Sequence, residues 1–137
     1  MIDDLKQRIA IIKQAAQKYL NFKFKELKGK TLSQLGWKFK FNPQLDDSTR
    51  GWCDENSNII YINSSIVFET AFDNTQLVEI LLHEMCHAID AVKRDITDHD
   101  YEYRKICYSV GKQTGYSGYM IFTDNMDLVA RNIGGQR

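Results

Sequence analysis

Apolar residues recur over the first twenty positions at Leu5, Ile9, Ile12, Ala16 and Tyr19, at spacings of four and three. That rhythm predicts one amphipathic helix, and Asp3 and Asp4 suit the positive end of its dipole. Over 22–30, Phe and Lys alternate and run out near Gly29, which predicts a helix tail or loop. Trp37, Phe39 and Phe41 then alternate with Lys38 and Lys40. This is the period of a half-buried strand, and Asn42-Pro43 stops it. A polar loop is expected from Gln44 to Thr49. Ile59, Ile60, Tyr61 and Ile62 predict a second strand, bounded by Asn58 and by Asn63-Ser64-Ser65.

The helical period returns after Asp73, which with Gln76 reads as a helix start. Leu77, Ile80, Leu81, Met85, Ala88, Ile89 and Val92 mark a long, strongly buried helix. Thr97 is expected to cap the next helix, with Asp100 reaching back to it. Tyr103, Ile106, Cys107 and Val110 form that helix's core stripe, and Gly111 and Gly115 are expected to end it. The pattern is weakest over 116–137, where 124–133 predicts a short helix. No repeat or low-complexity linker interrupts the chain, so residues 1–137 are read as a single domain.

The chemistry sits on the long helix. His83-Glu84-Met85-Cys86-His87 is an HExxH sequence. Residues four apart lie on one helix face, so both imidazoles can reach one metal ion. Neutral imidazoles suit Zn2+, and catalytic zinc sites typically add a third protein ligand and keep one position open. His99 is the only other histidine and is the expected third ligand; Asp95, Asp98, Asp100 and Glu102 are the alternatives. Glu84 is then a general base acting on a metal-activated water, not a ligand. A donor for the oxyanion is also needed, and Tyr101, Tyr103, Tyr108, Tyr116 and Tyr119 are candidates. Cys86 lies off the two-histidine face and reads as a small buried residue.

Composition narrows the class. The chain has 137 residues, 43% of them hydrophobic, enough for one compact core. Three cysteines with no CxxC pair argue against a disulfide framework and a zinc ribbon, so an intracellular setting is expected. Met1 leads into a charged segment and not a signal peptide, and no apolar run is long enough to span a membrane. The formal net charge is zero but unevenly spread: residues 1–50 hold 11 Lys/Arg against 5 Asp/Glu, and residues 51–137 hold 7 against 13. The basic part could face an anionic partner; a set of solvated lysines is the plainer reading.

His83-Glu84-Met85-Cys86-His87, followed by His99 and by Tyr103 four residues later, resembles the SprT-like zinc metalloprotease domain. Asn42, Leu45, Arg50-Gly51-Trp52-Cys53 and Ile59-Tyr61-Asn63 resemble the family's segment upstream of its active helix. The likeness covers roughly residues 35–112. Asp100 stands where the family usually has glycine, and paired cysteines for a C-terminal zinc ribbon are lacking, so the likeness is to a minimal catalytic core. The resemblance implies Zn2+ as cofactor, His83, His87 and His99 as its ligands, and cleavage of proteins associated with or crosslinked to DNA.

A DNA partner, single-stranded or at a junction, would meet the lysines of 18–40, with Lys23, Lys25, Lys38 and Lys40 as candidate contacts. Phe22, Phe24, Trp37 and Phe39 are interleaved with them. The alternation at 37–41 nevertheless favours core aromatics with lysines outward.

The expected fold is α+β and zincin-like, with an N-terminal helix and a small sheet packed on the HExxH helix. The strand at Ile59–Asn63 is expected to present an edge above that helix, where an extended substrate could add as a further strand. Three functions fit: a zinc endopeptidase acting on DNA-associated proteins, a zinc peptidase with a dedicated regulatory protein target, or an inactive zinc-bearing binding module. Intact Glu84 speaks against the last.

Overall fold

The computed structural model describes residues 2–41, 49–94 and 100–123 of the chain. Helix α1 spans Ile2–Leu20 and a 3-10 turn covers Lys25–Leu27. Strands β1 (Lys38–Phe41), β2 (Gly51–Asp54) and β3 (Ile59–Ile62) follow, then a second 3-10 turn at Ser64–Phe68. Helices α2 (Asn74–Arg94), α3 (Tyr101–Thr114) and α4 (Gly118–Thr123) complete the described chain. The class is mixed α+β, with a small three-stranded sheet.

The apolar stripe of α1 packs as expected: Ile12, Ala16 and Tyr19 are buried, with Leu5 and Ile9 packed at the margin. The sheet order is β1-β3-β2, with β1 parallel and β2 antiparallel to β3. The Ile59–Ile62 strand is therefore central, which corrects its expected place at an edge. It is apolar enough to be covered along both sides, whereas Gly51-Trp52-Cys53-Asp54 forms an edge. Asn63 ends β3 by using its side chain twice, accepting from the Ser65 amide at 3.0 Å and donating to the Thr49 carbonyl at 3.1 Å.

Register sorts the two faces. Phe39 lies opposite Ile60, and Ile60 opposite Cys53; Phe41 lies opposite Ile62, and Ile62 opposite Gly51. These residues face the helices. The other face carries Lys40, Tyr61 and Trp52 in one row and Lys38, Ile59 and Asp54 in the next.

Helix α2 is the centre of the molecule, in contact with α1, β2, β3, α3 and α4. Asp73 and Gln76 start it as a reciprocal box: the Gln76 amide donates to Asp73 Oδ1 at 2.8 Å and the Asp73 amide to Gln76 Oε1 at 2.9 Å. Every residue from Leu77 to Asp90 is buried, as a helix covered on all sides requires. The cap of α3 differs from expectation. Asp100 itself is the N-cap, accepting from the Tyr103 amide at 3.0 Å, and Thr97 lies outside the described residues. Gly115 ends α3 in the left-handed conformation at φ 84°, but Gly111 is buried inside the helix and does not end it. The stop at 42–43 and the short helix at 124–133 also lie outside the described residues. No helix among the described residues is long and apolar enough to cross a membrane.

Candidate active site

A line of polar residues runs along α2: Glu79, His83, His87 and Asp90 are all buried, with Glu84 beside them. Buried polar groups on an otherwise apolar helix require partners. His83 Nδ1 lies 2.7 Å from the Ile121 carbonyl of α4. A carbonyl can only accept, so Nδ1 carries a proton, and in the neutral ring that leaves the lone pair on Nε2. The His83 and His87 rings sit with centroids 4.9 Å apart and nearly perpendicular at 84°.

Tyr103 of α3 holds both histidines. Its ring stacks on His87 at 4.3 Å and 14°, and its hydroxyl donates to the His83 carbonyl at 2.8 Å. Burial pushes the Tyr103 hydroxyl well above its ordinary pKa, and neighbouring Cys107 and Cys86 push it the same way. The hydroxyl thus serves the helix backbone, not an oxyanion. Among the other candidate donors, Tyr101, Tyr108 and Tyr119 are exposed, and Tyr116 pairs with Tyr19.

Glu84 turns to the other side, toward β2. A β-carbon built on Gly51 would lie 2.8 Å from Glu84 Oε2 and 2.9 Å from its Cγ. Glycine at 51 therefore makes the space that the carboxylate fills. Cys53, next along the same face of β2, has its thiol pKa raised, first by burial and then by the Glu84 charge. The Glu84 carboxylate and the two imidazoles thus lie between a sheet edge and the α3–α4 pair.

Below the histidines, Arg94 clasps two carboxylates. Its Nε and Nη2 donate to Asp90 at 2.6 and 2.8 Å, and its Nη1 and Nη2 donate to Asp100 at 3.0 and 2.8 Å. The Arg94 guanidinium, and then the Tyr103 amide, hold the Asp100 carboxyl down to about 2. The clasp joins the two described ends of the chain on either side of His99.

The structure brings the His83 and His87 rings together on one face of α2 and turns Glu84 toward β2; His99 lies outside the described residues. Among the described residues no three His, Cys, Asp or Glu side chains are grouped to hold a metal. The donor chemistry of the two histidines nevertheless fits zinc: imidazoles one turn apart, one with its Nδ1 against a backbone carbonyl, and a carboxylate from the same turn in a fitted space toward β2. Asp90, Arg94, Gly51 and Ile121 are the residues sequence reasoning missed. The i, i+4 spacing of Asp90 and Arg94 was a usable signal. Ile121 acts through its backbone, which no side-chain pattern reveals.

The four candidate lysines lie on different elements. Lys38 and Lys40 stand on the outer sheet face beside Tyr61 and Trp52, which is 53% exposed. Lys23 is exposed on the loop after α1, and Lys25 borders a depression with Tyr108 and Lys112 of α3. Of the interleaved aromatics, Phe24 and Trp37 are buried.

Compared with known proteins, residues 11–123 match the model of the SprT-like family. The match extends beyond residues 35–112, where the motifs lie, and takes in half of α1 and all of α4. No curated protein and no solved structure matches the chain.

Proposed function

The chain belongs to the SprT-like family, whose domains are of metalloprotease type, and from that premise we propose that it is a zinc-dependent endopeptidase of zincin-like fold. The observation that carries the reading is the joint placement of His83, His87 and Glu84: imidazoles toward α3 and α4, the carboxylate against Gly51. His83 and His87 would hold the metal, with His99 as third ligand. Zinc, when bound, would supply Lewis acidity to a water and to the scissile carbonyl. Glu84 takes the proton of the attacking water and delivers it to the leaving amine. Gly51 leaves the carboxylate room to do so, and β2, the edge strand beside it, can pair with an extended substrate backbone.

A second element concerns the substrate. Lys38, Lys40, Tyr61 and Trp52 share one outer face of the sheet, which combines phosphate-binding charge with stacking surface. This favours DNA-associated protein substrates over a dedicated regulatory target.

The test is proteolysis by the zinc-loaded protein of a DNA-binding substrate, with and without single-stranded DNA, beside Glu84→Gln. Cleavage that needs Glu84 and DNA supports both parts. Glu84-dependent cleavage indifferent to DNA keeps the peptidase and removes the DNA reading. Zinc binding without any Glu84-dependent cleavage of protein substrates would overturn the peptidase in favour of a binding module.

A further inference from the structure

Helix α4 is six residues long, yet it reaches the centre of the site through one buried residue, Ile121. The approach depends on two glycines. A β-carbon on Gly118 would lie 2.5 Å from Tyr108 Cα, and one on Gly111 would lie 2.6 Å from the Gly118 nitrogen and 2.8 Å from the Tyr116 carbonyl oxygen. Both clashes are with backbone, which cannot rotate away. The backbones of α3 and α4 are therefore in direct contact at this crossing, closer than any side chain would allow. Ile121 lies three residues beyond Gly118, among the last carbonyls of α4, which a helix cannot satisfy within itself. Its oxygen accepts from His83 Nδ1 at 2.7 Å.

We infer that the Gly111–Gly118 crossing is a positioning device for the metal ligand: it seats the Ile121 carbonyl on His83 and thereby fixes that imidazole as the Nδ1–H tautomer, with Nε2 presented to the metal. The inference rests on the proposed metal site for its consequence, but the tautomer itself is a property of the metal-free protein. The tautomer matters because an imidazole whose outer nitrogen is anchored needs no reorientation on binding. Tyr103 secures the same histidine by a different route, through its backbone carbonyl, so the two contacts fix the helix and the ring separately.

Gly115 supplies the control. It lies between the two glycines in sequence, at φ 84°, with nothing within 4 Å of a β-carbon there. Alanine at 115 strains the turn without pressing α4 away from α3.

The experiment reads the His83 ring nitrogens by long-range proton–nitrogen NMR in the metal-free protein, and Zn2+ and Co2+ affinity by titration. It compares wild type, Gly118→Ala, Gly111→Ala and Gly115→Ala. The wild-type ring is expected to be Nδ1–H. Gly118→Ala and Gly111→Ala are expected to mix the tautomers and weaken metal binding about 10–100-fold. Gly115→Ala is expected to lower the thermal midpoint with the tautomer and affinity unchanged. An Nε2–H ring in the wild-type protein overturns the inference without recourse to any variant. So does an equal loss of affinity in Gly115→Ala at matched stability. A wild-type protein that holds the Nδ1–H tautomer but binds neither metal supports the positioning contact and defeats the metal reading instead.

Discussion

Gly51→Ala should cripple catalysis while leaving the fold in place. The added methyl would sit 2.8 Å from Glu84 Oε2, 2.9 Å from Cγ and 3.1 Å from Cδ. Rotating the carboxylate relieves the first contact but not the second, so either Glu84 changes rotamer or β2 moves out. Overpacking of this kind costs about 1–3 kcal/mol. As an edge strand, β2 can yield, which places the stability loss toward the lower end of that range. The catalytic loss is larger, because displacing a general base by about 1 Å costs on the order of 100-fold, or about 2.7 kcal/mol of barrier. The assay is kcat/KM on an unstructured protein substrate for wild type, Gly51→Ala, Glu84→Gln and the double variant. If Gly51 acts only through Glu84, the double variant is no slower than Glu84→Gln alone. An unchanged kcat/KM for Gly51→Ala, with Glu84→Gln inactive, would refute the reasoning.

Tyr103→Phe keeps the ring on His87 but removes the donor to the His83 carbonyl, which should cost about 1 kcal/mol, seen as a drop of about 3–5 °C in thermal midpoint. The Asp100 carboxyl is depressed from 3.8 to about 2 in the folded protein, so its contribution is complete above the unfolded value and is lost as pH falls through that interval. Urea midpoints measured against pH should therefore show an acid-side decline that Asp100→Asn lacks. Removing zinc with a chelator should lower the thermal midpoint of the wild-type protein and leave that of His83→Ala unmoved, since only a metal bound to the folded state stabilises it. Cys53 should alkylate slowly at neutral pH, its thiol pKa being raised by burial and by Glu84, and faster in Glu84→Gln, with mass spectrometry as the readout.

The long elements were legible because their periods run over enough residues to leave one interpretation. The stripe of α1, the Lys-Phe alternation of β1, the Ile-rich β3 and the apolar α2 all lie where the pattern puts them. Strand β2 was not legible as a strand. In Gly51-Trp52-Cys53-Asp54 the inward position that would show alternation is a glycine, present for the space it leaves, and the large apolar residue points outward. The α4 segment was missed for a related reason: it is short, and its packing depends on the smallness of Gly118. Gly111 misled because a glycine late in a helix ordinarily signals its end, whereas here it admits the neighbouring backbone. His83 and His87 were legible since helix spacing alone unites them, and Glu84 by its place in the same motif. Their supports were not, because Ile121 contributes a main-chain oxygen and Gly51 contributes an absence.

The Arg94 clasp bears on how two helices are held to one another. Arg94 bonds Asp90 within its own helix and Asp100 at the start of α3. One guanidinium therefore ties the end of the helix that carries His83 and His87 to the cap of the helix that carries Tyr103. Salt or acid strong enough to open the clasp would let the start of α3 part from the end of α2, and with it the ring that stacks on His87 would lose a fixed support.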